Sequence, residues 1–440
     1  MRVVILALVV ALGACGSAAA TVGRAGTEPL VDEEWWLPRV GADRATPPGP
    51  GVPLTIVDSG LDMSSPEFAG RPNTTVLNDQ TVNGRDEYHG TAVASIAAAP
   101  DNGVGLLGIY PQAVLSSWDA SPTFSVLDTV AAQGILAAAQ HCPGVINLSF
   151  GSTRRDPQIQ DAILTAFHQG CLVVAASGNA GEQGSPPTYP AGYPHVLTVG
   201  ATDKSDHVAS WSTVSPAMDL VAPGTDIAAA VPASRSSTGF VTDLAGTSFA
   251  SPMVAAAAAW VWTARPDLDA TQMFELMRTS ARDIEAPGFD NAAGYGLLDI
   301  PAALTAPAPA RDPFEPNDDI DQVAPGRLFE LGNPQLTTSG KPSSRIAGRL
   351  DTSDDPRDLY RIWVPANRVV RVSVTGGDAT ARIWGPKTFG VGEGVKSRRR
   401  DLKGQLIRGA KQGFAAYAEV LLTGRSRTAD YVLSVTASKR

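Results

Sequence analysis

Five short runs of continuously apolar residues, spaced by alanine-rich helical stretches, constrain this chain more than any other feature. The runs are Leu54-Thr55-Ile56-Val57, Val114-Leu115, Val145 to Leu148, Leu172 to Ala176 and Val196 to Val199. Between them lie Thr91 to Ala99, Val126 to Gln140 and Gln158 to Gln169. A strand wetted on one face alternates polar and apolar side chains, whereas a continuously apolar strand is covered on both. Such strands alternating with helices predict a parallel sheet in a three-layer α/β domain, placed at residues 46–303. Ligands of such sheets collect outside the carboxyl ends of the strands.

The texture changes after this domain. Pro301 to Pro313 carries Ala-Pro repeats, and residues 304–313 read as a semi-rigid linker. Leu359 to Val364, Val369 to Val374, Ala381 to Trp384 and Tyr431 to Val435 then cluster β-branched and aromatic residues between Gly/Asp turns. This predicts a small all-β sandwich over 314–437. A chain of 440 residues accommodates both units, and 43% hydrophobic with 18% charged residues excludes a largely disordered protein. The net charge of −9 argues against nucleic acid as a partner. The basic run Arg398-Arg399-Arg400 reads as a solvated loop in preference to an anchor for anionic polymer.

Met1-Arg2 and the apolar run Val3 to Ala14 form a charged head and a core too short to span a bilayer, the pattern of a secretion signal over residues 1–20. Leu12-Gly13-Ala14-Cys15 resembles a bacterial lipobox, which would anchor the mature chain by lipid on Cys15; Ala18-Ala19-Ala20 offers an ordinary cleavage site. Both exits stay open, and both make the protein an exported one, secreted or held at the envelope. Residues 21–45, around Glu33-Glu34-Trp35-Trp36-Leu37, read as an N-terminal arm. Export leaves Cys142 and Cys171 as an even pair in an oxidising compartment, where a disulfide is the better reading than two buried thiols.

Gly246-Thr247-Ser248-Phe249-Ala250-Ser251-Pro252 runs straight into Met253-Val254 and five alanines, so a helix begins close to Ser248. A serine there sits at the positive end of a helix, where an alkoxide and the oxyanion it creates are both favoured. Asp58 ends the apolar run Leu54 to Val57, a costly place for an unused carboxylate. Of the five histidines, His89 opens a small-residue helix in His89-Gly90-Thr91. His141, His168, His195 and His207 read as surface or capping residues. Ser177-Gly178-Asn179 ends another apolar run and offers an amide donor at the same sheet edge. Chain order then discriminates: an α/β-hydrolase needs a histidine after its serine, and none follows His207, whereas Asp58…His89…Ser248 is the remaining arrangement.

At these residues the chain resembles the subtilisin-like serine proteases, the subtilases. Val57-Asp58-Ser59-Gly60, His89-Gly90-Thr91, Asn147-Leu148-Ser149-Phe150-Gly151, Ser177-Gly178-Asn179, Tyr189-Pro190-Ala191, Val221-Ala222-Pro223-Gly224 and the Ser248 heptapeptide look like that family's blocks in its order. The resemblance implies a serine endopeptidase acting on proteins or peptides. Ser248 would be its nucleophile, His89 its general base, Asp58 the residue orienting His89, and Asn179 with the Ser248 N–H its oxyanion hole. It also implies that Ser149, Phe150 and Gly151 line the bound peptide, and that Thr188 lies near the floor of the P1 pocket, for a medium apolar residue.

The chain departs from the family in three places. Met253 stands where the pattern has histidine, Asp58 comes early for a folding pro-domain to precede it, and the calcium sites are matched only by Glu67 and Asn102. No cofactor is expected for the chemistry; structural calcium is an open expectation, as is a monomer. Glu315-Pro316-Asn317-Asp318 and Asp358-Leu359-Tyr360 resemble bacterial pre-peptidase C-terminal domains, sandwiches appended to secreted proteases. Two rivals remain: a silent peptide-binding envelope protein using the same groove, and a sedolisin, which would need glutamate at His89.

Overall fold

The computed structural model describes residues 28–79, 82, 87–121, 125–311, 314–315, 317, 335–352, 355–385, 404–424 and 426–439. The signal sequence, Cys15 and the Arg398–Arg400 run lie outside the described residues. Strands β1 (Leu54–Asp58), β2 (Thr74–Val76), β3 (Leu115–Asp119), β4 (Gly144–Leu148), β5 (Cys171–Ala176), β6 (Val196–Thr202) and β7 (Leu220–Pro223) form one sheet in the order β2-β3-β1-β4-β5-β6-β7. Every pairing in it is parallel. The strand order reverses between β1 and β4, the place where a doubly wound sheet opens a crevice at its carboxyl edge.

Both faces of the sheet are covered, as the unbroken apolar runs require. Successive residues divide between two cores: Val145, Leu172 and Val174 face one, and Ile146, Val173 and Ala175 the other. The first core holds helices α2 (His89–Ala98) and α5 (Thr247–Ala264). The second holds α3 (Asp128–Ala139) and α4 (Pro157–His168). Helix α5 is buried nearly all round, and Ala255 to Ala259 are completely covered. A helix crossing the domain interior must be apolar on every face, and alanine lets its neighbours approach closely. Cys142 and Cys171 form a disulfide. It lies where β5 begins, at the opposite edge of the sheet from the ends of β1 and β4.

The segment read as an arm is docked against the domain. Trp36, Leu37 and Val40 of the short helix α1 (Trp36–Val40) belong to the first core, and Trp36 is wholly buried. His195 also departs from its expected surface role. It is 5% exposed, and its ring stacks on Phe167 with centroids 3.8 Å apart. The apolar ring of Phe167, at the end of α4, supplies the burial that the sequence around His195 does not advertise.

A separate antiparallel pair, β8 (Ile227–Ala230) and β9 (Phe240–Leu244), precedes α5, and after α6 (Ala270–Thr279) and α7 (Ile300–Thr305) the described residues of the C-terminal unit are all β. Its strands are β10 (Ser344–Asp351), β11 (Arg357–Val364), β12 (Arg368–Thr375), β13 (Ala379–Trp384), β14 (Gly404–Arg408), β15 (Phe414–Leu422) and β16 (Thr428–Lys439). Two antiparallel sheets, β10-β16-β12-β14 and β11-β15-β13, enclose a core of Tyr360, Ile362, Val370, Val372, Val420, Leu433 and Val435. Among the described residues no helix is long and apolar enough to cross a membrane.

Candidate active site

Asp58 is the last residue of β1 and is 2% exposed. Its Oδ1 accepts from the Ser59 N–H at 2.7 Å and lies 2.8 Å from His89 Nδ1. His89 is the first residue of α2, brought close to β1 by Gly90: a Cβ at Gly90 would stand 2.2 Å from the Gly60 carbonyl oxygen. The Gly90 N–H donates to Ser59 Oγ at 3.0 Å, fixing the start of the helix against the strand end. Burial works against the His89 cation, but the charge of Asp58 and its hydrogen bond outweigh it, so His89 titrates above an ordinary imidazole. Its side chain is 30% exposed and therefore reachable, with Phe249 packed beside the ring at 5.6 Å between centroids.

Ser248 is the second residue of α5, so its N–H has no acceptor within the helix. Its Oγ donates to the Ser149 carbonyl at 2.9 Å rather than to the His89 ring. Catalytic hydrogen bonds of this kind are often unformed without substrate, and a χ1 rotation redirects the hydroxyl. The helix starts at Thr247, close to Ser248 as expected, and this places Pro252 beyond the first turn where a proline is best tolerated, in the helix interior.

Asn179 follows β5 by three residues and is exposed. Its Oδ1 accepts from both the N–H and the Oγ1 of Thr247, each at 2.9 Å. That double acceptance fixes the amide's orientation and leaves its NH₂ free to donate. Thr247 Oγ1 accepts in turn from the Gly178 N–H at 3.1 Å. Thr247, Ser59 and Gly90 therefore hold the site together, although the sequence advertised them only as neighbours of more chemical residues.

Beyond β4, Ser149 pairs with Ser248, and regular pairing resumes only at Ser152, which exchanges two 2.8 Å backbone bonds with Tyr189. Among the described residues the peptide groups of Phe150 and Gly151 between them take no backbone partner, which suits an added strand. Thr188 stands between this segment and the Asn179 turn. Cβ atoms built at Gly151 and Gly178 would lie 2.8 Å from its Cγ2 and 2.9 Å from its Oγ1.

Away from this edge, Glu67 is wholly buried; its Oε2 accepts from the Leu106 N–H at 3.2 Å and its Oε1 has no partner among the described residues. Glu28, from the docked N-terminal segment, accepts from the Gly103 N–H at 2.8 Å through Oε1, and its buried Oε2 likewise has no partner among the described residues. Asn102 Oδ1 accepts from the Val104 N–H in the same loop. Two buried, unsatisfied carboxylate oxygens are a donor set that suits a hard cation. The sequence reading missed Glu28; nothing in its local context marks a residue that is recruited from another segment.

The subtilase family (peptidase S8) matches residues 49–296 of this chain. Subtilisin DY of Bacillus licheniformis is 33% identical over 278 residues, which is 61% of this chain and 97% of that protein. Subtilisin Savinase of Lederbergia lenta is 34% identical over 275 residues, again covering 61% and 97%. Among solved structures, the psychrophilic subtilisin-like protease Apa1 of Pseudoalteromonas sp. AS-11 superposes with a TM-score of 0.54 at 18% identity, over 63% of this chain and 99% of its own, a likeness of fold.

Proposed function

The chain belongs to the subtilase family of serine endopeptidases, and on that premise we propose that it is an exported protease in which Asp58, His89 and Ser248 form the catalytic triad and Asn179 the oxyanion hole. The observation that carries this reading is the 2.8 Å contact between Asp58 Oδ1 and His89 Nδ1 at the sheet edge that α5 leads into with Ser248.

The substrate lies extended along Ser149, Phe150 and Gly151, adding a strand to their open peptide groups, with its P1 side chain toward Thr188. Ser248 Oγ attacks the scissile carbonyl carbon while His89 Nε2 takes the hydroxyl proton. Asp58 stays ionised, holds the imidazole in the tautomer with its proton on Nδ1, and stabilises the cation that forms. The carbonyl oxygen becomes an oxyanion facing the Asn179 amide and the Ser248 N–H. Collapse breaks the C–N bond, His89 returns its proton to the leaving amine, and water resolves the acyl-enzyme by the same steps.

Met253 is wholly buried in the α5 interior, which supports its having no part in this chemistry. Glu67 and Glu28, with Asn102 in the adjoining loop, would hold a structural calcium, which supplies rigidity and no catalytic step. The C-terminal sandwich resembles a pre-peptidase C-terminal domain, and the protein acts as a monomer, with Cys15 as the lipid anchor if the lipobox is used. Ser248→Ala tests the core of the reading. Peptide hydrolysis should fall by about a million-fold in kcat, the scale on which subtilisin loses activity with its serine. An active-site-directed fluorophosphonate should label the parent at Ser248, whereas a silent peptide-binding protein would take no label.

A further inference from the structure

Pro252 is the sixth residue of α5. Without an N–H it cannot donate to the carbonyl four residues back, which is that of Ser248, and its ring crowds that oxygen. Ser248 O accepts instead from Ser149 Oγ at 2.9 Å. The direction of this bond is set from behind. Ser251 Oγ donates to Asn147 Oδ1 at 2.7 Å, which turns Asn147 Nδ2 toward Ser149 Oγ at 2.9 Å. A hydroxyl that accepts there has its one proton left for Ser248 O. Asn147 and Ser251 are 0% exposed and Ser149 is 2% exposed, so water is a poor substitute for any member of the relay.

We infer that Ser149 is a positioning residue for Ser248: its hydroxyl, oriented by Asn147 and Ser251, supplies the hydrogen bond that Pro252 withholds from the Ser248 backbone. This rests on Ser248 being the nucleophile. The Ser248 backbone carries both the attacking hydroxyl and, through its N–H, part of the oxyanion hole. Misplacing it therefore weakens the transition state while leaving substrate binding intact, because the substrate meets the backbone of the Ser149 to Gly151 segment and the Ser149 hydroxyl is turned to Ser248 O. The effect belongs in kcat and not in KM.

The test is a rescue. Ser149→Ala should lower kcat for a peptide substrate about tenfold or more, with KM within about twofold of the parent. Pro252→Ala gives the helix back an N–H aimed at Ser248 O, so Ser149→Ala combined with Pro252→Ala should recover most of that loss. An unchanged kcat in Ser149→Ala, or a loss that Pro252→Ala does not restore in a double variant shown by circular dichroism to be folded, overturns the inference. If the double variant does not fold, Ser251→Ala decides: it leaves Ser149 in place but frees the Asn147 amide to turn. A smaller fall in kcat at unchanged KM supports the relay, and no fall overturns it. Fluorophosphonate labelling of the parent runs alongside. Failure to label Ser248 removes the nucleophile assignment itself, a different outcome from a labelled parent whose Ser149→Ala variant is unimpaired.

Discussion

Arg278 Nη2 lies 3.4 Å from Asp351 Oδ2, an ion pair between α6 of the α/β domain and β10 of the sandwich through side chains 5% and 3% exposed. Arg278 also meets Asp219 at 3.4 Å and Glu275 at 2.6 Å. Arg427 of the sandwich lies 3.7 Å from Asp351, donates to the Pro216 carbonyl at 2.6 Å and sits 3.5 Å from the Phe289 ring centroid. Removing one member of a buried pair leaves charge uncompensated, at a cost of about 3–5 kcal/mol. Asp351→Ala is therefore expected to lower the Tm measured by calorimetry and to speed cleavage of the linker by an added protease. An unaltered Tm and linker would mean that Asp219 and Glu275 satisfy Arg278 by themselves.

The pH profile follows from the raised His89 titration. The general base must be neutral, so kcat/KM climbs as pH rises through the His89 pKa, and that limb should lie above the pH at which a free imidazole titrates. For stability the sign is opposite: a pKa raised by folding favours the folded state at low pH, and the gain is lost as pH rises through the folded value. Asp58→Asn removes the charge that raises it. The acid limb should move to lower pH, with kcat down about ten-thousand-fold because the imidazole loses its orienting acceptor. An acid limb at the same pH in the two proteins would detach Asp58 from His89.

Asn179→Ala removes one donor to the oxyanion while the Ser248 N–H stays. The expected loss in kcat is about a hundred- to a thousand-fold, the range such a donor shows in subtilisin, with KM little changed. Thr247→Val should show part of this loss, since Thr247 Oγ1 supplies one of the two bonds that orient the amide. Equal kcat for Asn179→Ala and the parent would show that the amide does not face the reacting oxygen.

The sheet, its two buried faces and the edge where Asp58, Ser149 and Asn179 gather were legible because strand polarity and apolar continuity are local properties of the sequence. His195 was not, because its burial comes from Phe167, which no local pattern ties to it. Glu28 was lost for the same reason, with its carboxylate working beside Gly103 in a loop 75 residues away. The helix start within a residue or two of Ser248 was legible, but its exact first residue, Thr247, was not, and it is this that carries Pro252 past the first turn. In the helix interior the proline is the reason that the Ser248 carbonyl takes its hydrogen bond from Ser149 and not from the helix.

Cys142 and Cys171 close a loop with a sequence separation of 29, and in the chain-entropy account such a bridge is worth about 3–4 kcal/mol. The bridge stands where β5 begins, far along the strands from the carboxyl edge that carries the site. Cys142→Ser with Cys171→Ser should therefore lower the unfolding midpoint while leaving kcat and KM at moderate temperature close to the parent's. A fall in kcat in protein that remains folded would mean that the bridge also sets the active edge.

Glu67 joins stability to pH and to calcium. Burial raises its carboxyl from 4.5 to about 8; the Leu106 N–H opposes the rise, and the neighbouring Glu28 adds to it. A carboxyl raised by folding keeps a proton that the unfolded chain gives up, so its contribution to stability declines from about pH 4.5 to about pH 8. In chelator the protein should lose Tm across that window, and Glu67→Gln, with no proton to release, should lose less and exceed the parent at pH 8. Calcium binds the ionised carboxylate and should reverse the order, raising the parent's Tm well above that of Glu67→Gln. Identical parent Tm values in calcium and in chelator at pH 8 would exclude a cation between Glu28 and Glu67.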